Sequence, residues 1–289
     1  MTARGPGPAA GPDAAPACGR PPDRPPARAC TRCGRPACPD CLRPAPVGAH
    51  CVDCLAEAAR TTRTARTVAG APERPTTTPV VTLTLIAVNV AVFVLTALSA
   101  GSAWNNVASP WVAATWLVPA DVAAGEWYRL VTAGFLHAGP LHIAFNMIAL
   151  WVLGRDLELV LGRLRYGLLY GVSLLGSSTA VTLLGAPDQP VLGASGAVFG
   201  LMGGLVIVLR RLRLSPGPAL TMVAINVVLT FTIPGLSVLG HLGGLVTGLA
   251  VAAVLVHGPG RSRPAAGLLA VGGIAVVLVV LVAVRALTL

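Results

Sequence analysis

An all-α polytopic bundle of membrane helices, preceded by a small cysteine-rich domain, is the fold class this sequence predicts. Three observations lead there. Of the 289 residues, 54% are hydrophobic and only 11% charged, whereas soluble domains carry about 25% charged residues. From Pro79 onward the chain divides into seven apolar stretches of near-spanning length, and all seven cysteines precede the first of them. This composition excludes a soluble globular enzyme. The formal charge of +10 contains no lysine. An arginine-only, alanine- and proline-rich chain fits a GC-rich coding genome better than a nucleic-acid binder, so no nucleic-acid partner is expected.

The elements follow in order. Residues 1–17 are rich in Pro and Gly and lack the apolar core of a secretory signal, so they read as a disordered leader. The first apolar run must then direct insertion itself, which puts the N-terminus in the cytoplasm. Residues 18–56 form the cysteine-rich head, and the Arg- and Thr-rich residues 57–78 a linker. Residues 79–289 form the membrane domain, with apolar stretches at 80–100, 140–157, 164–185, 193–210, 217–236, 237–257 and 265–287. Each is near the roughly 20 residues that cross about 30 Å of hydrocarbon, and helices satisfy their own backbone groups in lipid.

Arginine fixes the orientation. Arg60, Arg63, Arg66, Arg74, Arg155, Arg163, Arg165, Arg210, Arg211, Arg213, Arg261 and Arg263 fall on the N-terminal side of the membrane, with Arg129 and Arg285 opposite. The positive-inside rule predicts a multi-pass protein of the cell membrane with its N-terminus cytoplasmic and its C-terminus outside. The long outer loop, about 101–139, carries Trp104, Trp111, Trp116, Trp127 and Tyr128, residues suited to the headgroup level.

Polar residues inside a bilayer are functional hypotheses by default. Four stand near the outer ends of the second, fourth and sixth stretches, which all enter from outside: His142, Asn146, Ser195 and His241. His142 and Asn146, spaced i, i+4, share one helix face. Ser195 and His241 each adjoin a glycine stripe, Gly196/Gly200/Gly204 and Gly240/Gly244/Gly248. Stripes of this kind let helix backbones approach closely. If they face each other, hydroxyl and imidazole come within hydrogen-bond reach. His241 is then a candidate general base for a Ser195 nucleophile. His142, Asn146 and the Ser195 backbone N–H are candidate oxyanion donors. No acidic residue lies in the apolar core, so a Ser–His dyad rather than a triad is expected. Asn89 and Asn226 read as interhelical hydrogen-bonding residues.

These strings resemble the rhomboid family of intramembrane serine proteases. The resemblance is carried by Glu126-Trp127-Tyr128-Arg129-Leu130, by His137, His142 and Asn146 at H-x4-H-x3-N spacing, and by Gly193-Ala194-Ser195-Gly196. Gly240-His241 with Gly244 and Gly248, and Gly154-x2-Leu157-Glu158-x3-Gly162-x2-Arg165-Tyr166, complete it. It covers about 80–257. It implies Ser195 as nucleophile, His241 as general base and acid, His142 and Asn146 as oxyanion donors, and no cofactor for catalysis. Phe199 matches a position where the family often has a Tyr stacked on the catalytic His, and His137 matches a structural position. The last stretch corresponds to the added helix of a six-plus-one arrangement and is expected outside the catalytic set.

In the head, three cysteine gaps are C-x2-C, at 30/33, 38/41 and 51/54. Cytoplasmic thiols stay reduced, so zinc outranks disulfides. Seven cysteines plus His50 make eight candidate ligands, enough for one or two ions. The spacing resembles the B-box-like zinc heads that precede some bacterial rhomboids. That resemblance implies one site from Cys30, Cys33, Cys51 and Cys54 and another from Cys18, Cys38 and Cys41, for which His50 is the candidate fourth ligand. The head also offers a surface for a cytoplasmic partner.

The function expected is hydrolysis of a peptide bond in transmembrane substrate proteins near the outer leaflet. The alternative is a catalytically inert rhomboid-like binder of membrane proteins; a transporter is a further rival, with no internal repeat to support it.

Overall fold

The computed structural model describes residues 17–20, 22–61, 67–68, 70, 78–258 and 264–289. The expected leader, apart from its last residue, and most of the expected linker lie outside these. The chain separates into two compact units, residues 1–64 and 65–289.

The first unit is built from two short antiparallel hairpins and one helix. Strand β1 (Arg28–Ala29) pairs with β2 (Pro36–Ala37), and β3 (Leu42–Pro44) pairs with β4 (Ala49–Cys51). Helix α1 (Val52–Thr61) follows, continuing past the expected end of the head at 56. The interior is Cys18, Cys30, Ala37, Cys38, Leu42, Ala49, Cys51 and Cys54. Five of those eight are cysteines. Ala37, Leu42 and Ala49 alone supply little apolar volume for a domain of this size.

The second unit is the helical bundle the apolar pattern predicts. Helix α2 (Val80–Ala100) leads into a long loop, which holds the short helices α3 (Pro110–Thr115), α4 (Pro119–Ala123) and α5 (Arg129–Thr132). Then come α6 (Gly139–Leu161), α7 (Arg163–Leu184), α8 (Ser195–Arg211), α9 (Gly217–Thr232), α10 (Val238–His257) and α11 (Pro264–Ala286). Seven long helices thus match the seven apolar stretches. By length and composition α2, α7, α10 and α11 can each cross a membrane. A fifth span is counted if residues 129–135, bent by 96° from α6, are joined to it. Helices α8 and α9 are shorter, at 17 and 16 residues.

Position in the bundle follows polarity. Helix α7 has the lowest mean hydropathy of the four spans, 1.5, and the largest buried share, 56%. It buries Ser173, Ser177, Ser178, Thr179 and Thr182. Helix α11, at 3.0 and 17% buried, is the most apolar and packs on α7, α10 and α4. Lipid tolerates only apolar side chains on the perimeter, whereas the bundle interior can satisfy polar ones.

Helices α8 and α10 touch backbone to backbone. A Cβ on Gly244 would overlap the carbonyl oxygen of Gly196, and one on Gly248 that of Gly200. Gly196 and Gly200 therefore face the Gly240/Gly244/Gly248 stripe. Gly204 instead faces Leu169 of α7. Asn89 and Asn226 donate from Nδ2 to Leu85 and Met222, one turn back in their own helices. For Asn226 this self-satisfaction takes the place of the expected interhelical bond.

The entry to α2 is fixed from the far end of α6. Glu158, 3% exposed, accepts from the backbone N–H groups of Val81 and Thr82 at 2.9 and 2.8 Å and from Thr82 Oγ1 at 2.9 Å. A carboxylate on the open N–H groups of a first turn satisfies both their hydrogen bonding and the helix dipole. The chain then reverses at Gly162, whose φ of 83° suits only glycine well. Replacing Glu158 by Ala strands those donors. The expected result is a loss of about 3 kcal/mol, read as a lower unfolding midpoint in detergent; an unchanged midpoint contradicts it.

Candidate active site and thiol clusters

Ser195 opens α8 because the chain before it is extended. Leu117 and Val191 exchange backbone hydrogen bonds at 2.9 and 2.8 Å, and Gly193 turns the chain with φ 128°. The first N–H groups of α8 then lack intrahelical acceptors. His241 sits in the first turn of α10, whose start is capped by Ser237 accepting from the Gly240 N–H. The glycine contact of α8 and α10 brings the two side chains together: His241 Nε2 lies 2.8 Å from Ser195 Oγ. The Phe199 ring stacks on His241, centroids 4.3 Å apart and planes 12° from parallel. On its other side, His241 Nδ1 is 2.7 Å from Thr230 Oγ1 of α9. His241 is 5% exposed, Thr230 3%.

The oxyanion candidates differ in what they offer. His142 Nδ1 accepts from the Ala138 backbone N–H at 3.1 Å, so in the neutral ring the proton is on Nε2. That atom borders Gly193 on the side of Ser195: a Cβ on Gly193 would lie 3.0 Å from His142 Nε2 and 3.5 Å from Ser195 Oγ. Asn146 is buried and donates from Nδ2 to the His142 carbonyl at 2.9 Å, which leaves one amide N–H for another acceptor. His137, 1% exposed, packs edge-on against His142 with centroids 5.1 Å apart.

Two residues that support the site escaped sequence reasoning. Thr230 stood unremarked in an apolar string. Asn106, fully buried, donates from Nδ2 to the His137 carbonyl at 2.7 Å and accepts from the Gly139 N–H at 2.9 Å. It thereby pins the entrance of α6 just before His142. Its only signal was an asparagine in a loop dominated by tryptophans.

That loop is held by Arg129, 6% exposed. Its guanidinium pairs with Glu126 and Asp121 and donates to the carbonyls of Ala113 and Trp116. Hydrogen bonds from the Tyr128 hydroxyl and Arg129 hold the Glu126 carboxyl below its ordinary range. A carboxyl lowered on folding contributes stability above its unfolded pKa and loses it as pH falls. Protection against amide exchange across residues 113–129, taken relative to the intrinsic rate at each pH, is therefore expected to fall on acidification through and below the ordinary carboxylate range, with Glu126→Gln flattening that response. Protection that falls equally in the wild type and in Glu126→Gln would contradict it.

In the first unit the thiols form two groups, Cys30/Cys33/Cys51/Cys54 and Cys18/Cys38/Cys41, the sulfurs of each within 4.8 Å of one another. His50 is in neither. On β4 it alternates with Ala49 and Cys51, which point inward, and so takes the opposite face. The fourth ligand expected from His50 is thus corrected. The four-thiol group fits zinc. Cys33 and Cys51 Sγ are 3.8 Å apart, the edge of a tetrahedron with Zn–S bonds of about 2.3 Å. The Cys51 backbone N–H donates to Cys30 Sγ at 3.2 Å and pulls that thiol down to about 6. Cys54, hydrogen-bonded to Cys33 and buried, is pushed up to about 12. Four sulfurs this crowded ionise together only around a cation. The three-thiol group has the same N–H···S pattern, from Cys38 and Arg20 to Cys18 Sγ at 3.2 and 3.4 Å. No fourth ligand joins it among the described residues.

Comparison with known proteins adds the following. Residues 124–258 match the rhomboid domain. The chain is 36% identical over 139 residues to Rhomboid protease GluP of Bacillus subtilis, covering 46% of this chain and 27% of that protein. It is 31% identical over 152 residues to Rhomboid-type serine protease 2 of Emericella nidulans, covering 50% and 30%. YdcA of Bacillus subtilis is 34% identical over 141 residues, covering 47% of this chain and 71% of that protein. The chain thus spans under a third of the length of the first two relatives.

Proposed function

Because the chain belongs to the rhomboid family, we propose that it is an intramembrane serine endopeptidase in which Ser195 and His241 form the catalytic dyad. The observation that carries this reading is the 2.8 Å contact of Ser195 Oγ with His241 Nε2 at the meeting of α8 and α10. In the reaction, Ser195 Oγ attacks the scissile carbonyl while His241 Nε2 takes its proton. The carbonyl oxygen becomes an oxyanion, stabilised by His142 Nε2–H, the free Asn146 amide N–H and the backbone N–H at the start of α8. His241 then gives its proton to the leaving amine as the C–N bond breaks. Water, deprotonated by the same nitrogen, hydrolyses the acyl-serine. No cofactor takes part in these steps.

The substrate is a transmembrane protein, cut near the outer leaflet. The 17 residues of α8 span about 25 Å at 1.5 Å per residue, less than the roughly 30 Å of hydrocarbon. With Arg210 and Arg211 at the cytoplasmic surface, Ser195 lies a few ångströms below the opposite one. Arginine placement further supports a cytoplasmic N-terminus, an outer C-terminus and residence in the cell membrane. The substrate helix must unwind locally, since a helical carbonyl is already hydrogen-bonded.

In the head, Cys30, Cys33, Cys51 and Cys54 hold a zinc ion that supplies folding energy to a domain with little core. Cys18, Cys38 and Cys41 offer a second, three-thiolate site. The head is also the surface available to a cytoplasmic partner.

The test is cleavage of a single-span substrate in proteoliposomes, with the cut mapped by mass spectrometry. We expect one cut in the outer part of the span, absent with Ser195→Ala. Equal cleavage by Ser195→Ala would sink the dyad and point to a contaminating protease or the transporter reading, whereas no cleavage by the wild type against a panel of spans favours the inert binder.

A further inference from the structure

We propose that Thr230 is the positioning residue of the dyad: its hydroxyl holds His241 in the tautomer whose bare Nε2 faces Ser195. The inference rests on the protease reading for its consequence and on hydrogen-bond geometry for its substance. Thr230 Oγ1 lies 2.7 Å from His241 Nδ1 and 2.8 Å from the carbonyl oxygen of Asn226. A hydroxyl has one proton to donate and a carbonyl can only accept. The contact with Asn226 therefore takes the Thr230 proton. Oγ1 is left with lone pairs towards Nδ1, which must supply the proton of that 2.7 Å contact.

A neutral imidazole carries one N–H. With it on Nδ1, Nε2 is an acceptor, and the 2.8 Å contact with Ser195 Oγ has the serine donating. The proton order then runs one way: Ser195 O–H to Nε2, Nδ1–H to Thr230 Oγ1, and Thr230 O–H to the Asn226 carbonyl. In the opposite tautomer Nε2–H would point at the serine, Nδ1 would need the Thr230 proton, and the Asn226 carbonyl would lose it. That ring could not accept the serine proton.

The same arrangement favours the charged ring formed during the reaction. When Nε2 takes the proton, Nδ1–H becomes a charge-assisted donor to Thr230 Oγ1. Asn226 and Thr230 lie towards the C-terminus of α9 (Gly217–Thr232), where the helix dipole presents its negative end. A hydroxyl backed by a helix C-terminus thus stands where a triad places a carboxylate. Phe199 covers one ring face, and no acidic side chain contacts the ring among the described residues.

The experiment uses the purified full chain in detergent, with Thr230→Val, which keeps shape without the hydroxyl, and Thr230→Ser, which restores it. Thr230→Val is expected to lower kcat about tenfold with KM unchanged, and Thr230→Ser to recover most of the rate. Nitrogen-15 spectra of ring-labelled histidine, with the His241 signals identified by their loss in His241→Ala, are expected to show protonated Nδ1 and bare Nε2 in the wild type. In Thr230→Val the two forms should mix. A wild-type ring protonated on Nε2, a ring spectrum unchanged by Thr230→Val, or equal rate losses in Val and Ser variants would overturn the proposal. Ser195→Ala in the same assay tests the protease reading separately, and the ring spectra read the tautomer whether or not substrate is cut.

Discussion

Ser195→Ala and His241→Ala are each expected to lower cleavage of a single-span substrate by at least about 10⁴-fold, and the double variant to lose no more than the worse single one. The reason is geometric. The 2.8 Å contact makes hydroxyl and imidazole one unit, so removing either leaves the other without its chemical task. What remains is substrate binding and the proposed oxyanion donors around His142. Independent roles would give multiplied losses. Substrate affinity should change little, because Ser195 is small and His241 is buried beneath Phe199. Initial rates across substrate concentration, with folding checked by thermal midpoint, decide between these outcomes. Losses that multiply in the double variant would mean that the two residues do not act together.

With zinc bound as proposed, a strong chelator is expected to unfold the head. The head has three non-cysteine residues in its interior, and structural zinc in small domains contributes about 10–16 kcal/mol of apparent binding free energy. That is comparable to the whole stability of an ordinary domain, about 5–15 kcal/mol. Cys30→Ser should act like a chelator, since it removes a buried sulfur that accepts the Cys51 N–H and one corner of the four-thiol group. Hydrogen exchange on the full chain reads this directly: head amides lose protection while those of α7 and α10 keep theirs. Protection in the head that survives a strong chelator would exclude a structural metal.

Much of the bundle was legible because lipid imposes length and polarity together. The stretch 80–100 coincides with α2, and 237–257 misses α10 by one residue. The stretch 217–236 overran α9, which stops at Thr232, because Ile233 and Pro234 continue the apolar run without continuing the helix. Ser195 and His241 could be singled out because each adjoins a stripe of glycines, and those glycines set the approach of α8 to α10. Other parts were hidden for equally physical reasons. Thr230 reads as an apolar-helix threonine bonding to its own backbone, which it does; that its second lone pair meets His241 depends on how α9 packs. His50 was a candidate because Cys18, Cys38 and Cys41 lack a fourth ligand, although it adjoins Cys51; a strand sends such neighbours to opposite faces. Asn146 shares a face with His142 as the spacing required, yet one of its amide hydrogens serves its own helix.

The most direct measurement is covalent trapping of the nucleophile. Incubated with a fluorophosphonate, the protein is predicted to gain one adduct, mapped by peptide mass spectrometry to Ser195, and His241→Ala to gain almost none in the same time. An adduct on another residue, no adduct at all, or equal labelling with and without His241 would contradict a serine activated by that histidine.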